Sequence, residues 1–305
     1  MKQYDYHHLA HVKTQKHSKK ALWITLLLTF FFTLVEIVGG ILSNSLALLS
    51  DSAHMISDVL ALGLSMTAIH MAARNPTKTY TFGFLRFEII ASFINGLALV
   101  IIAIGIFIEG IRRILYPETI DLPFMLTVAT IGLIVNIVLT YVLSRSTRHE
   151  ENLNIKSALW HFIGDLLSSI GIIIAAGLIY LTGISLFDPI ISLIIGVIIF
   201  SGGFKILRES YFILMEAVPE KFDLEEIRNE IKRVDGVQDV HDMHLWTVTT
   251  DHFSLTAHIF LQSDYNHFRT VSTINQVLEE KYGLRHNTIQ VEHPDVNEHG
   301  EYGKS

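Results

Sequence analysis

Apolar residues gather into six long runs over the first two thirds of the chain, at 21–43, 46–73, 87–109, 123–144, 155–181 and 186–207. A helix needs about twenty consecutive apolar residues to cross a bilayer core, so each run predicts a membrane-spanning helix. Polar breaks such as Tyr116-Pro117-Glu118 and Thr182-Gly183 separate neighbouring runs. Past Arg208 the pattern changes. Residues 223–233 carry apolar positions at helical spacing, and 237–249 and 253–262 alternate as two strands about a turn at Thr250-Asp251. A second helix is expected over 267–281, closed by Gly283, and a last strand over 288–292. The expected fold is a multi-pass α-helical membrane protein with six transmembrane helices, followed by a C-terminal α+β domain of order α-β-β-α-β. Three segments result: 1–20 as a polar lead, 21–207 as the membrane domain and 208–305 as the tail.

Charge sets the orientation. Lys2, Lys13, Lys16, Lys19 and Lys20 precede the first run, Arg74, Lys78 and Arg86 lie between the second and third, and Arg145, Arg148 and Lys156 between the fourth and fifth. The opposite connections hold Arg112 and Arg113. Lys and Arg stay on the cytoplasmic side, so both termini are expected in the cytoplasm of a cell-membrane protein. The polar lead is followed by no small-residue cleavage site and does not read as a signal peptide.

Composition narrows the chemistry. Half of the 305 residues are hydrophobic and the formal net charge is -7. From Arg208 onward there are nine Lys/Arg against eighteen Asp/Glu, so the tail holds the acidic excess. An acidic tail argues against nucleic acid as a partner and suits a domain that attracts cations. With no cysteine in the chain, disulfides and thiolate metal sites are excluded, and any metal must be held by His, carboxylate, backbone or water.

Ionisable residues inside membrane spans are costly and so are candidates for function. The second run contains His54 and Asp58, the fifth His161 and Asp165. Each is a His-x-x-x-Asp pair, and residues four apart share one face of a helix. The two pairs lie at matched depth in spans running in opposite directions. Two imidazoles and two carboxylates can close a tetrahedral Zn²⁺ site. Binding requires neutral His and ionised Asp, which sets metal against protons. Asp51, one turn from His54, is placed to line an entry path. Glu36, Glu109 and Asp188 read as residues of span ends, and Asn95 and Asn136 as ties between helices.

With its six spans, paired His-x-x-x-Asp and α-β-β-α-β tail, the chain resembles the cation diffusion facilitator family, and within it the bacterial zinc/cadmium/cobalt-resistance exporters. The segments that carry the resemblance are Ser45 to His54, Thr81-Phe82-Gly83 with Arg86 and Glu88, and Val240 to Trp246. It implies a homodimer in the lipid bilayer that exports divalent metal by alternating access in exchange for H⁺. It also implies a metallochaperone-like tail with metal sites, where His241, His258 and Glu292 match ligand positions and His286 is a further candidate. Zn²⁺ would be the transported substrate and a regulatory ligand, with no organic cofactor. An extra Asp/His site found in some members after the second span has no ligand set in 73–80, so it is expected to be absent. Arg86 and Glu216 stand where some relatives carry an ion pair, and His7, His8, His11 and His17 could collect metal loosely. Two rivals remain at this point: a membrane-anchored metal sensor, and an intramembrane metalloenzyme, against which the chain has no His-Glu-x-x-His.

Overall fold

A computed structural model describes residues 16–72, 74, 76–147, 153–249 and 252–292, without the side chains of 16–26, 61–62, 65–66, 68–69, 72, 139, 142–147 and 153–163. The histidines at 7, 8 and 11 lie outside the described residues, as does the expected turn at Thr250-Asp251; the side chains of His17 and His161 do too.

Six long helices come first: α1 Lys16–Ser43, α2 Leu46–Ala72, α3 Phe87–Leu115, α4 Leu122–Thr147, α5 Leu153–Thr182 and α6 Phe187–Leu214. Among the described residues, Phe87–Leu115, Gly164–Thr182 and Phe187–Leu214 are long and apolar enough to cross a membrane, and Leu27–Ser43 and Leu122–Val138 are shorter apolar stretches. Two compact units emerge: residues 1–65 with 94–206, and residues 66–93 with 207–305.

The first unit is a helical bundle. Its core joins Ala47 and Leu48 of α2, Leu99 and Ala103 of α3, Met125, Val128 and Ala129 of α4, Ile172, Ala175 and Ala176 of α5, and Ile195 and Ile199 of α6. Five alanines are interleaved with the larger aliphatics because helices in a bilayer gain from close backbone approach rather than from hydrophobic exclusion. Gly203 of α6 shows the demand: a Cβ there would meet the Leu99 side chain at 2.6 Å and the Gly96 carbonyl at 3.3 Å. Outward-facing Phe31, Ile41, Ile101, Ile108 and Ile198 are all more than half exposed. A soluble monomer rarely shows so continuous an apolar surface, whereas lipid accommodates it.

The second unit contains α7 Leu224–Lys232, β1 Val237–Thr249, β2 His252–Leu261, α8 His267–Tyr282 and β3 His286–Glu292. Asp223 caps α7 by accepting from the Glu225 and Glu226 amides, and Asn266 caps α8 by accepting from Arg269. Gly283, at φ 69°, ends α8 in the left-handed region, and the Leu284 amide bonds back to the Leu278 carbonyl. The sheet order is β1-β2-β3, with β1 and β2 antiparallel and β2 and β3 parallel. Ile227, Ile231, Ile274 and Leu278 of the helices pack on Val240, Met243, Leu245, Leu255, Ala257 and Ile259 of the sheet.

The β1–β2 register shifts at three places, between Val237 and Asp239, His241 and His244, and Thr247 and Thr249, and the middle one bears on the site. His241 faces His258 and His244 faces Thr256, so β1 spends three residues where β2 spends two. The extra residue is a bulge, and Asp242 within it has φ 45°. Arg86 and Glu216, both in this unit, form the anticipated pair at 2.7 Å.

Candidate metal centre

Helices α2 and α5 face each other in opposite directions. Asp51 of α2 accepts a hydrogen bond from the Ser168 hydroxyl of α5 at 2.5 Å. One turn along both helices, His54 Nε2 lies 3.6 Å from Asp165 Oδ1 and 3.9 Å from Asp58 Oδ2. The next step of a turn leads on α2 to Asp58 and on α5 to the backbone of His161. Donor atoms of His54, Asp58 and Asp165 all lie within 4.8 Å of one another. Bonds of about 2.0 Å in a tetrahedron set ligand atoms about 3.3 Å apart. The observed separations therefore need only small side-chain rotations to close on one Zn²⁺-sized ion.

Neighbouring helices hold this geometry. Asn136 of α4 donates to Ser169 Oγ at 3.0 Å and to the Asp165 carbonyl at 3.4 Å, one turn of α5 thus being fixed against α4. Ser57 donates to Asn95 Oδ1 at 3.1 Å, tying α2 to α3. The expected interhelical role of both asparagines is what the structure shows. In a bilayer interior such bonds have no water to compete with them.

Of the carboxylates read as span-end residues, one departs from expectation and one serves a helix N-terminus that is not its own. Glu36, read as a span-end residue, is 1% exposed and sits beside Gly132 of α4, where a Cβ would meet its Oε1 at 3.0 Å. Asp188 does not serve its own helix: it accepts from Ser45 Oγ and the Leu46 and Ala47 amides, so it caps α2. Spacing along one helix carries no sign of either arrangement, because both depend on a different helix.

The tail brings together a second cluster. Cross-strand partners His241 and His258 flank Glu292, which lies 3.1 Å from His241 Nε2 and 2.8 Å from His258 Nδ1. Their donor atoms also fall within 4.8 Å of one another. His241 stacks on Phe260 and its buried Nδ1 has no hydrogen-bond partner. Two imidazoles and a carboxylate so placed are a donor set that fits a divalent metal. The bulge turns Asp242 toward this cluster, with Oδ2 3.6 Å from His258 Nε2 and Oδ1 2.9 Å from His244 Nε2. Sequence reasoning gave Asp242 no role. His286, the further candidate, is not brought to this cluster: it opens β3 opposite Ser254, exposed, with its ring edge-on to Phe82.

Comparison with known proteins matches residues 22–215 to the cation efflux transmembrane domain and residues 219–294 to the cytoplasmic domain of cation efflux proteins. The chain is 35% identical over 287 residues to a cadmium, cobalt and zinc/H(+)-K(+) antiporter of Bacillus subtilis, covering 93% of this chain and 92% of that one. It is 37% identical over 276 residues to the metal cation efflux system protein CzcD of Cupriavidus metallidurans, covering 90% and 87%. It is 35% identical over 288 residues to the zinc transporter ZitB of Escherichia coli, covering 94% and 91%. A solved structure of the metal-bound C-terminal domain of the CzcD transporter matches 23% of this chain and 99% of that one, at 35% identity and a TM-score of 0.23.

Proposed function

The chain belongs to the cation efflux family, whose members transport metal cations and are not enzymes, and on that premise we propose that it exports Zn²⁺ from the cytoplasm in exchange for protons. Cd²⁺ and Co²⁺ are the accompanying cargo, as the names of its relatives suggest. The transport site is His54, Asp58, His161 and Asp165. The observation that carries this reading is the convergence of His54, Asp58 and Asp165 from two oppositely directed helices of the membrane domain. Four protein ligands leave no open position for activated water, in keeping with transport rather than hydrolysis.

Six spans, with both termini in the cytoplasm of a cell-membrane protein, follow from the Lys/Arg-rich connections. The chain divides into the lead 1–20, the membrane domain 21–207 and the tail 208–305. The tail mediates homodimerisation, and His241, His258 and Glu292 hold a regulatory metal. Metal loading displaces protons from imidazole and carboxyl groups, and protonation releases the ion. A bound ion neutralised by two carboxylates crosses the low-dielectric interior at reduced cost.

The test is zinc-driven proton flux in proteoliposomes. Asp58→Ala and Asp165→Ala abolish it while thermal unfolding in detergent shows an intact fold. Undiminished flux in either variant overturns the site. A sensor would move no labelled metal at all.

A further inference from the structure

We propose that the hydrogen bond from Ser168 of α5 to Asp51 of α2 is the latch that shuts one mouth of the transport site, made in the state seen here and broken when the site turns to the other side of the membrane. This rests on the transport reading of His54, Asp58, His161 and Asp165.

Position is the first argument. Asp51 and Ser168 each lie one turn beyond the metal-site residues, on the side away from Asp58, and meet across the gap between the two ligand-bearing helices. An ion leaving His54 and Asp165 in that direction meets this pair next. Burial agrees. Asp51 is 3% exposed, with Ser50 and Ser52 beside it buried as well, whereas the His54 and Asp58 side chains keep 27% and 18%. Asp165 is buried at 6%, so exposure within the site belongs to His54 and Asp58 and falls away at Asp51, the gradient expected of a mouth shut at the Asp51 end.

The second argument is which helices each bond joins. Ser57–Asn95 ties α2 to α3, and Asn136–Ser169 ties α5 to α4. The Asp51–Ser168 bond ties α2 directly to α5. Parting α2 from α5 breaks that bond and leaves each helix held by its own neighbour.

The third is chemical. A helical serine whose hydroxyl is released can turn to a carbonyl one turn back on its own helix, and a carboxylate facing an opened mouth is met by water. Breaking the bond therefore strands no polar group, which a contact made and broken in every cycle requires.

The experiment uses the full chain in proteoliposomes. Ser168→Ala removes the donor and shifts the balance away from the closed-mouth state. The expected result is a KM for Zn²⁺ offered at the cytoplasmic face raised by about three- to tenfold, with kcat preserved. Ser168→Thr, which keeps the hydroxyl, restores the wild-type KM. A loss of packing alone would lower kcat and would not be rescued in this way. In a second arm, the chain has no cysteine of its own, so Asp51→Cys with Ser168→Cys can be bridged selectively by a short bis-methanethiosulfonate, which attaches through two reducible disulfides. Bridging is expected to cut flux at least tenfold relative to the same variant before bridging, and reduction to restore it. Full flux through the bridged protein, or a wild-type KM in Ser168→Ala, overturns the latch. His54→Ala separates the two ideas. If it transports as wild type does, the transport reading falls and the latch with it; if it is inactive and Ser168→Ala has a wild-type KM, the latch alone falls.

Discussion

Asp188 and Ser45 are 143 positions apart in the chain and 2.6 Å apart in the fold. The fully buried Asp188 carboxylate also takes the Leu46 and Ala47 amides, at 2.8 and 3.2 Å. It thereby satisfies the otherwise unpaired donors of the buried α2 N-terminus and complements its dipole. Asn44, at φ 52°, makes the turn from α1 into α2 and is gripped by Arg113 through its carbonyl at 2.7 Å and its side chain at 3.0 Å. The helix that carries His54 and Asp58 is thus anchored at its start by α6 and α3.

Removal of that anchor should be costly. Asp188→Ala leaves three buried donors without their acceptor, for an expected loss of about 3 kcal/mol. Thermal unfolding of the purified protein in detergent checks it, and an unchanged midpoint would show that the cap does not hold α2.

The tail cluster makes a separate expectation. Glu292 supplies the carboxylate between His241 and His258. Glu292→Gln is expected to weaken Zn²⁺ binding to the tail at least tenfold, since a neutral amide neither balances the ion nor coordinates it as well. Calorimetric titration of full-length protein carrying Asp58→Ala reports the tail without the membrane site. His286→Ala, remote from the cluster, should leave that affinity unchanged.

Tyr282 offers a titration signature for the tail fold. Desolvation, followed by its hydrogen bond to Glu226 at 2.9 Å, pushes its hydroxyl up from 10 to about 12. A folded-state value above the unfolded one contributes stability that is complete below pH 10 and is lost as pH rises through about 12. The tyrosinate absorbance difference between wild type and Tyr282→Phe should therefore appear near pH 12 rather than pH 10.

Much of this was legible in the order of residues. Period and run length located α1 to α6, and the α-β-β-α-β order of the tail follows alternation and helical spacing. The same local rule put His54 and Asp58 on one face of α2 and placed Asp165 one turn after His161 on α5, because spacing of four residues has a fixed meaning in a helix. The resemblance marked His241, His258 and Glu292, and the sheet brings all three together.

Tertiary structure decided the rest. That Glu36 is buried beside Gly132 rather than at a span end depends on how α1 is rotated against α4. Asp188 caps a helix more than a hundred residues away. A single extra residue in β1 turns Asp242 toward His258, while the start of β3 carries His286 off toward Phe82. The meeting of Asp51 with Ser168 depends on the relative register of α2 and α5. The sequence by itself determined which elements form and which residues share a face, since those are properties of short stretches with fixed periods. Rotation, register and cross-chain partners are set by packing between side chains distant along the chain, and only the folded protein chooses among them.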